Sequence, residues 1–230
     1  MARKPTPKPA ARSTPGRDRT ERERIIDAFM TLLAHKPIEL IGFADIAKEA
    51  GVALSDLRGH FGSTLAILAA QTKETDRAVL AGTDADMAEE PARERLFDVL
   101  MRRLELLAPH KAAVRSLLRS AMRNPPLALA LNGLAVRSQQ WMLTAADIGA
   151  AGPRGMVRAQ GLALLFAQVL RTWVDDDDPG LARTMAALDR ALARGQSWSG
   201  VLDGALRLAA CAGRTGPRRR RDSDDESVAA

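Results

Sequence analysis

Apolar residues recur at three- and four-residue intervals through most of the chain, and no segment alternates convincingly enough to read as a strand. The first such segment, residues 18–35, places Ile25, Ile26, Phe29, Met30, Leu32 and Leu33 on one broad helical face, and Pro37 stops it. "GFADIAKEAG" and "LSDLRGHF" follow as two short helices, separated at Gly51 and closed by Gly62. A long helix then runs from Ser63, its predicted N-cap, towards Asp84. Pro91 opens a helix carrying Leu96, Phe97, Leu100, Leu104 and Leu107. Further helices are predicted from Pro109 to Met122, from the Pro125–Pro126 pair to the break at "GAAGP", from Arg154 to Val174, and from Leu181 to Arg194. "SWSGVLDGALRLAACAG" reads as a last amphipathic helix, and no internal repeat is apparent.

The ends differ from the middle. Residues 1–17 are rich in Pro and Lys/Arg, and residues 212–230 join a basic run to an acidic one; both are expected to be disordered. The predicted organisation is a basic arm (1–17), a helix-turn-helix domain (18–63), a larger helical domain (64–211) and a charged tail.

Composition sharpens this picture. Hydrophobic residues make up 46% of the 230, enough for a sizeable core, whereas aromatic residues are 3% and Tyr is absent. Abundant Ala, Leu and Arg with few β-branched residues favour an all-α fold. The net charge of +6 suits a polyanionic partner, either nucleic acid or an anionic membrane surface, or reflects an Arg-rich soluble surface. Cys211 is the one cysteine, which excludes an intrachain disulfide and fits a reducing cytoplasm. The basic N-terminus lacks the apolar stretch of a secretory signal, and no apolar run is long enough to span a membrane. The expected location is cytoplasmic.

Residues 43–61 carry the first chemistry. Ile46, Ala47 and Ala50 face inward on the first short helix, Ala47 being small because the second helix crosses near it. Gly51 supplies the turn, and Val52, Leu57 and Phe61 close the core from the other side. This spacing is that of a DNA-binding helix-turn-helix. Ile46-Ala47, Ala50-Gly51-Val52, Leu57, His60-Phe61 and Gly62-Ser63, with a large helical remainder, resemble the TetR family of transcriptional regulators over residues 18 to 80. The resemblance implies a homodimer, recognition helices in successive major grooves of a double-stranded operator, and a ligand pocket in each C-terminal domain. It also implies that ligand binding changes the spacing of the recognition helices. Residues 154–174 and 181–194 stand where that family forms its dimer interface.

The chain departs from the family pattern where DNA would be touched. Ala53 stands where Ser or Thr is usual, Arg58 where Tyr is usual, and Thr64 where Lys is usual. Two features compensate: Arg58 is a good phosphate or guanine ligand, and Arg17 and Arg19, with Arg12, could reach a neighbouring groove. Asp56 repels phosphate but can accept a bond from a cytosine amino group. The candidate DNA-binding residues are thus Arg17, Arg19, Ala53, Leu54, Ser55, Asp56, Arg58, His60 and Thr64; the other reading is a helical scaffold without operator binding.

The remainder suggests a ligand. Leu104, Trp141, Met142, Phe166 and Trp173 are candidate walls of an apolar pocket suited to an adaptable, greasy molecule, or they are ordinary core. The four aspartates from Asp175 to Asp178 read as solvated, helix-capping carboxylates next to Pro179-Gly180, with Asp178 or a neighbour capping the next helix. Trp173, the acidic turn, Thr184-Met185 and Leu188-Asp189-Arg190 are similar to the TetR-like lipid-binding accessory proteins of ubiquinone biosynthesis. That similarity implies an isoprenoid cavity and membrane contact through a last helix bearing Trp198, Val201, Leu202, Ala205, Leu206 and Ala209; the plain alternative is a helix packed on the domain. His35, His60 and His110 are not at metal-ligand spacing, and no nucleophile elbow, Walker loop or dinucleotide fingerprint occurs. No enzyme, metal or cofactor is expected. The favoured function is a regulator, most naturally a repressor, modulated by an apolar small molecule; the alternative is the lipid-binding protein.

Overall fold

A computed structural model describes residues 20–82, 87 and 89–195. Within them every regular element is helical, as the apolar spacing predicts. Helix α1 spans Glu21–His35 and starts later than residue 18 because Thr20 and Glu23 form a reciprocal capping box. Helices α2 (Phe43–Ala50) and α3 (Leu54–His60) follow a short 3-10 turn at Ile38–Leu40. Gly51 between them adopts φ +63°, a left-handed conformation that side-chain-bearing residues resist. Ser63 caps α4 (Thr64–Ala81) through its hydroxyl, which accepts the Ala66 N–H at 3.0 Å.

The larger part comprises α5 (Ala92–Leu107), α6 (Lys111–Arg123), α7 (Pro125–Ala145), α8 (Gly152–Trp173) and α9 (residues 182–195). The predicted start of α6 at Pro109 falls instead in a separate 3-10 turn, Ala108–His110. Helix α8 begins two residues before the predicted Arg154, with Pro153 in its first turn where a missing N–H costs nothing. Gly155 is required by closeness: a Cβ there would lie 2.1 Å from the backbone of Ala150.

Two apolar clusters hold these helices. The first joins Ile25, Phe29 and Leu33 of α1 to Ile46, Leu57, Phe61 and Ile67, and is completed by Ala113 of α6 and by Leu127, Leu131 and Leu134 of α7. The helix-turn-helix core therefore borrows from the larger part. The second gathers Val79, Leu100, Leu104, Met142, Phe166, Trp173 and Leu188.

The acidic turn after α8 is divided in its roles. Asp178 caps α9 as predicted, accepting the Ala182 N–H at 3.1 Å. Asp176, in contrast to the expectation of solvated carboxylates, is 1% exposed and accepts both the N–H (2.8 Å) and the O–H (2.6 Å) of Thr184. A carboxylate is buried here because these donors replace its water.

The Thr184 hydroxyl, together with backbone N–H donors, holds the Asp176 carboxyl below the ordinary aspartate range. A depressed folded-state value means the stabilisation is complete above the unfolded-state value and is lost as pH falls through the folded one. Asp176→Asn should lower the urea midpoint at neutral pH and flatten its decline on acidification. Parallel curves for both proteins down to the acid limb would contradict this role.

Candidate nucleic-acid interface

Helix α3 is pinned on one side and bare on the other. Leu57 is 2% exposed, while Leu54, Ser55, Asp56, Arg58, Gly59 and His60 are all exposed. Leu57 packs in the cluster with α1, and Phe61, directly after α3, is locked by the same cluster. The Arg22 guanidinium lies 5.5 Å from the Phe61 ring and pairs with Glu74, linking α1, the end of α3 and α4.

Of the sequence-predicted contact residues, Ala53, Leu54, Ser55, Asp56, Arg58 and His60 lie exposed on or at the start of α3. Ala53 is the N-cap of α3 and offers no side-chain cap. Ser55 donates to Asp56 at 3.3 Å, so the hydroxyl absent at position 53 is not replaced there. Arg58 has no ion-pair partner among the described residues and reaches over Gly62. His60 lies 3.6 Å from Glu21, and Thr64 is half-buried at the start of α4. Arg17 and Arg19 lie outside the described residues, as do Cys211, both terminal segments and the segment bearing Trp198 and Val201. The sequence did not single out Leu40 and Phe43, which stand 68% and 42% exposed at the entrance to α2.

The candidate ligand residues divide. Leu104, Met142, Phe166 and Trp173 meet in the second cluster at 0%, 0%, 5% and 1% exposure. Trp141 is 57% exposed on the outer side of α7 and is not part of that interior. Beside the four lies a polar group that the sequence reading missed. Arg103, 6% exposed, pairs with Asp76, which also accepts the Ser138 hydroxyl at 2.8 Å. Its guanidinium stands 5.8 Å from the Phe166 ring. The signal was available: Arg103 continues the stripe Leu96, Val99, Leu100 at helical spacing, and Asp76 sits three residues before buried Val79.

Helix α6 connects the two clusters. At its start Lys111 donates to the Asp176 carbonyl oxygen and Arg115 to that of Val174, with Asp177 and Asp175 as ion-pair partners. Further along, Ser116 donates to the Lys36 carbonyl oxygen at 3.1 Å, and Ser120 to the Glu39 carboxylate at 2.9 Å. Glu39 is held below the ordinary glutamate range, first by its own backbone N–H and then by Ser120 and Asn124. The acidic turn and the segment entering the helix-turn-helix are thus tied to one helix.

No family model and no curated protein matches the chain. Solved structures do. The TetR transcriptional regulator from Nitrosomonas europaea ATCC 19718 aligns with a TM-score of 0.61 at 22% identity, covering 78% of this chain and 99% of that one. A TetR transcriptional regulator from Rhodococcus sp. RHA1 gives 0.55 at 22% identity, over 76% and 95% of the two chains. A TetR-family transcriptional regulator from Streptomyces coelicolor gives 0.50 at 17% identity, over 84% and 88%. The chain has the TetR fold, as the helix-turn-helix resemblance implied.

The buried pair makes a stability prediction. Arg103→Ala strands the Asp76 carboxylate and should cost about 3–5 kcal/mol in denaturant unfolding. Asp76→Asn combined with Arg103→Met should recover most of that loss. Additive losses in the double variant would show that the two side chains do not act as a pair.

Proposed function

We propose that this chain is a dimeric, DNA-binding transcriptional repressor of the TetR type, whose hold on a double-stranded operator is altered by an apolar small molecule. The observation that carries the reading is α3 itself: only Leu57 of its seven residues is buried, so the helix is fixed by one side chain and offers the others outward. A helix held in this way fits the major groove without rearrangement. Arg58 supplies the cation for a phosphate or guanine, and the basic arm with Arg17 and Arg19 supplements it.

The ligand part of the proposal rests on the interior formed by Leu104, Met142, Phe166 and Trp173. These side chains fill it, so a ligand would enter by displacing them, to which unbranched Met is suited. Helix α6 would carry the displacement, since it touches the turn that follows Trp173 at one end and the Lys36–Glu39 segment at the other. The lipid-binding alternative depends on the segment from residue 197 onwards, which lies outside the described residues; of its described signature residues, Trp173, Thr184 and Leu188 are packed internally, while Met185, Asp189 and Arg190 are exposed.

The dimer would form through α8 and α9. Met156, Val157, Gly161 and Leu164 lie exposed along α8, with Met185 exposed on α9. The spacing from Val157 through Gly161 to Leu164 makes one helical stripe, with a small residue at its centre that lets a second helix approach.

Selection of bound genomic fragments at near-physiological salt should return a palindromic site. Arg58→Ala should weaken binding to it by about 1–3 kcal/mol, with a shallower salt dependence if Arg58 meets phosphate or relaxed specificity if it meets a base. Retention of DNA without any preferred sequence would refute the operator-binding reading. Separately, Leu164→Arg should convert a dimer to a monomer in sedimentation analysis while preserving helicity. A monomeric wild-type chain would exclude the proposed interface.

A further inference from the structure

The row of cations along α6 is not accounted for by DNA binding at α3. Arg115, Arg119 and Arg123 repeat every four residues, which sets them on one face at intervals of about 6 Å. Like charges at this spacing disfavour a helix. They line an open groove of about 640 Å³ between α6 and the segment from Ala34 to Glu39. His35 and Lys36 form the facing wall, and Glu39 is the only carboxylate in the lining.

The hydrogen bonds and ion pairs within the groove engage some of these cations and not others. Arg115 is engaged with the Val174 carbonyl oxygen and Asp175, and Lys36 lies 3.7 Å from Asp45. Glu39 is occupied by the Ser120 hydroxyl and the Asn124 amide. Arg119 and Arg123 are exposed and have no hydrogen bond or ion pair among the described residues, although the Arg123 charge helps to hold the Glu39 carboxyl low. Two guanidiniums one turn apart, with no hydrogen bond of their own and with Lys36 and Arg115 beside them, can together meet an anion with several charged oxygens.

We propose that this groove binds a small molecule bearing a diphosphate or longer phosphate chain, at a site distinct from the apolar interior. A second groove of about 380 Å³ shares Ala34, His35 and Ala112 with the first and continues past Met30, Pro109 and Ala113. Its walls carry one carboxylate, Asp27, and no Lys or Arg, so it would take the non-anionic body of such a ligand. The concave shape favours a compact anion over a duplex backbone, which presents a convex surface. The site bridges the helix-turn-helix part, through Lys36, and α6, so its occupation is placed to act on their relative position. The binding itself does not depend on whether α3 reads DNA.

The test is calorimetric titration of the full chain with inorganic pyrophosphate at constant ionic strength. Saturable binding at one site per chain is expected, weakened about tenfold or more by Arg119→Ala combined with Arg123→Ala. Lys73→Ala combined with Arg77→Ala removes two exposed cations of α4 and should change the affinity less than about twofold. Absence of saturable binding by the wild-type chain would overturn the proposal, as would equal weakening in both double variants. Loss of DNA affinity in the Arg119/Arg123 variant, with no pyrophosphate binding by the wild type, would assign the row to the DNA backbone instead.

Discussion

The packing of α1 is the constraint on which the rest depends. One side of this helix must fix α2, α3 and α4, and another must seat α6. Its apolar face is correspondingly broad: Ile25, Ile26, Phe29, Met30 and Leu33 are all at or below 4% exposure. Each such side chain contributes about 1.5–3 kcal/mol by burial, so α1 cannot shift without disturbing both neighbours. The direction in which α3 points is therefore set by α1, and the position of α1 is set in turn against α6.

The contacts that hold α6 are of a different kind at its ends. Ala113 belongs to the first apolar cluster, but the attachments to the acidic turn and to the Lys36–Glu39 segment are hydrogen bonds and ion pairs. Such bonds contribute about 0.5–1.5 kcal/mol net each and can be exchanged for water at modest cost. An apolar pivot with polar attachments is a joint that a ligand of ordinary affinity could bias. The Asp76–Arg103 pair differs again, because its burial makes it costly to break and so keeps α4 and α5 together.

The arrangement also explains why departures from the family pattern at Ala53, Arg58 and Thr64 leave the helix-turn-helix intact. Ala53 and Arg58 lie on the exposed side of the motif, and half-buried Thr64 lies at the start of α4, while Ile46, Ala47, Gly51, Leu57 and Phe61 hold the crossing. Surface chemistry at α3 can change with little effect on its orientation. The chemistry of this outer surface and the stability of the fold are thereby separable in this part of the molecule.

By itself the sequence determined the features that are local or periodic. The helical class, the Ser63 cap, the left-handed turn at Gly51 and the cap at Asp178 follow from side-chain chemistry within a few residues, and all are present. Periodicity likewise located Leu57 and Phe61 as core. What the tertiary structure alone decided was which neighbour covers each face. Met142 is fully buried and adjacent Trp141 is 57% exposed, because α7 carries apolar residues all round and only packing selects a side. Asp176 is buried among four similar aspartates because Thr184, eight residues away, turns back to meet it. The cations of α6 become a groove rather than a solvated face because the segment from Ala34 to Glu39 stands opposite them, a juxtaposition of residues some eighty positions apart in the chain that no local pattern encodes.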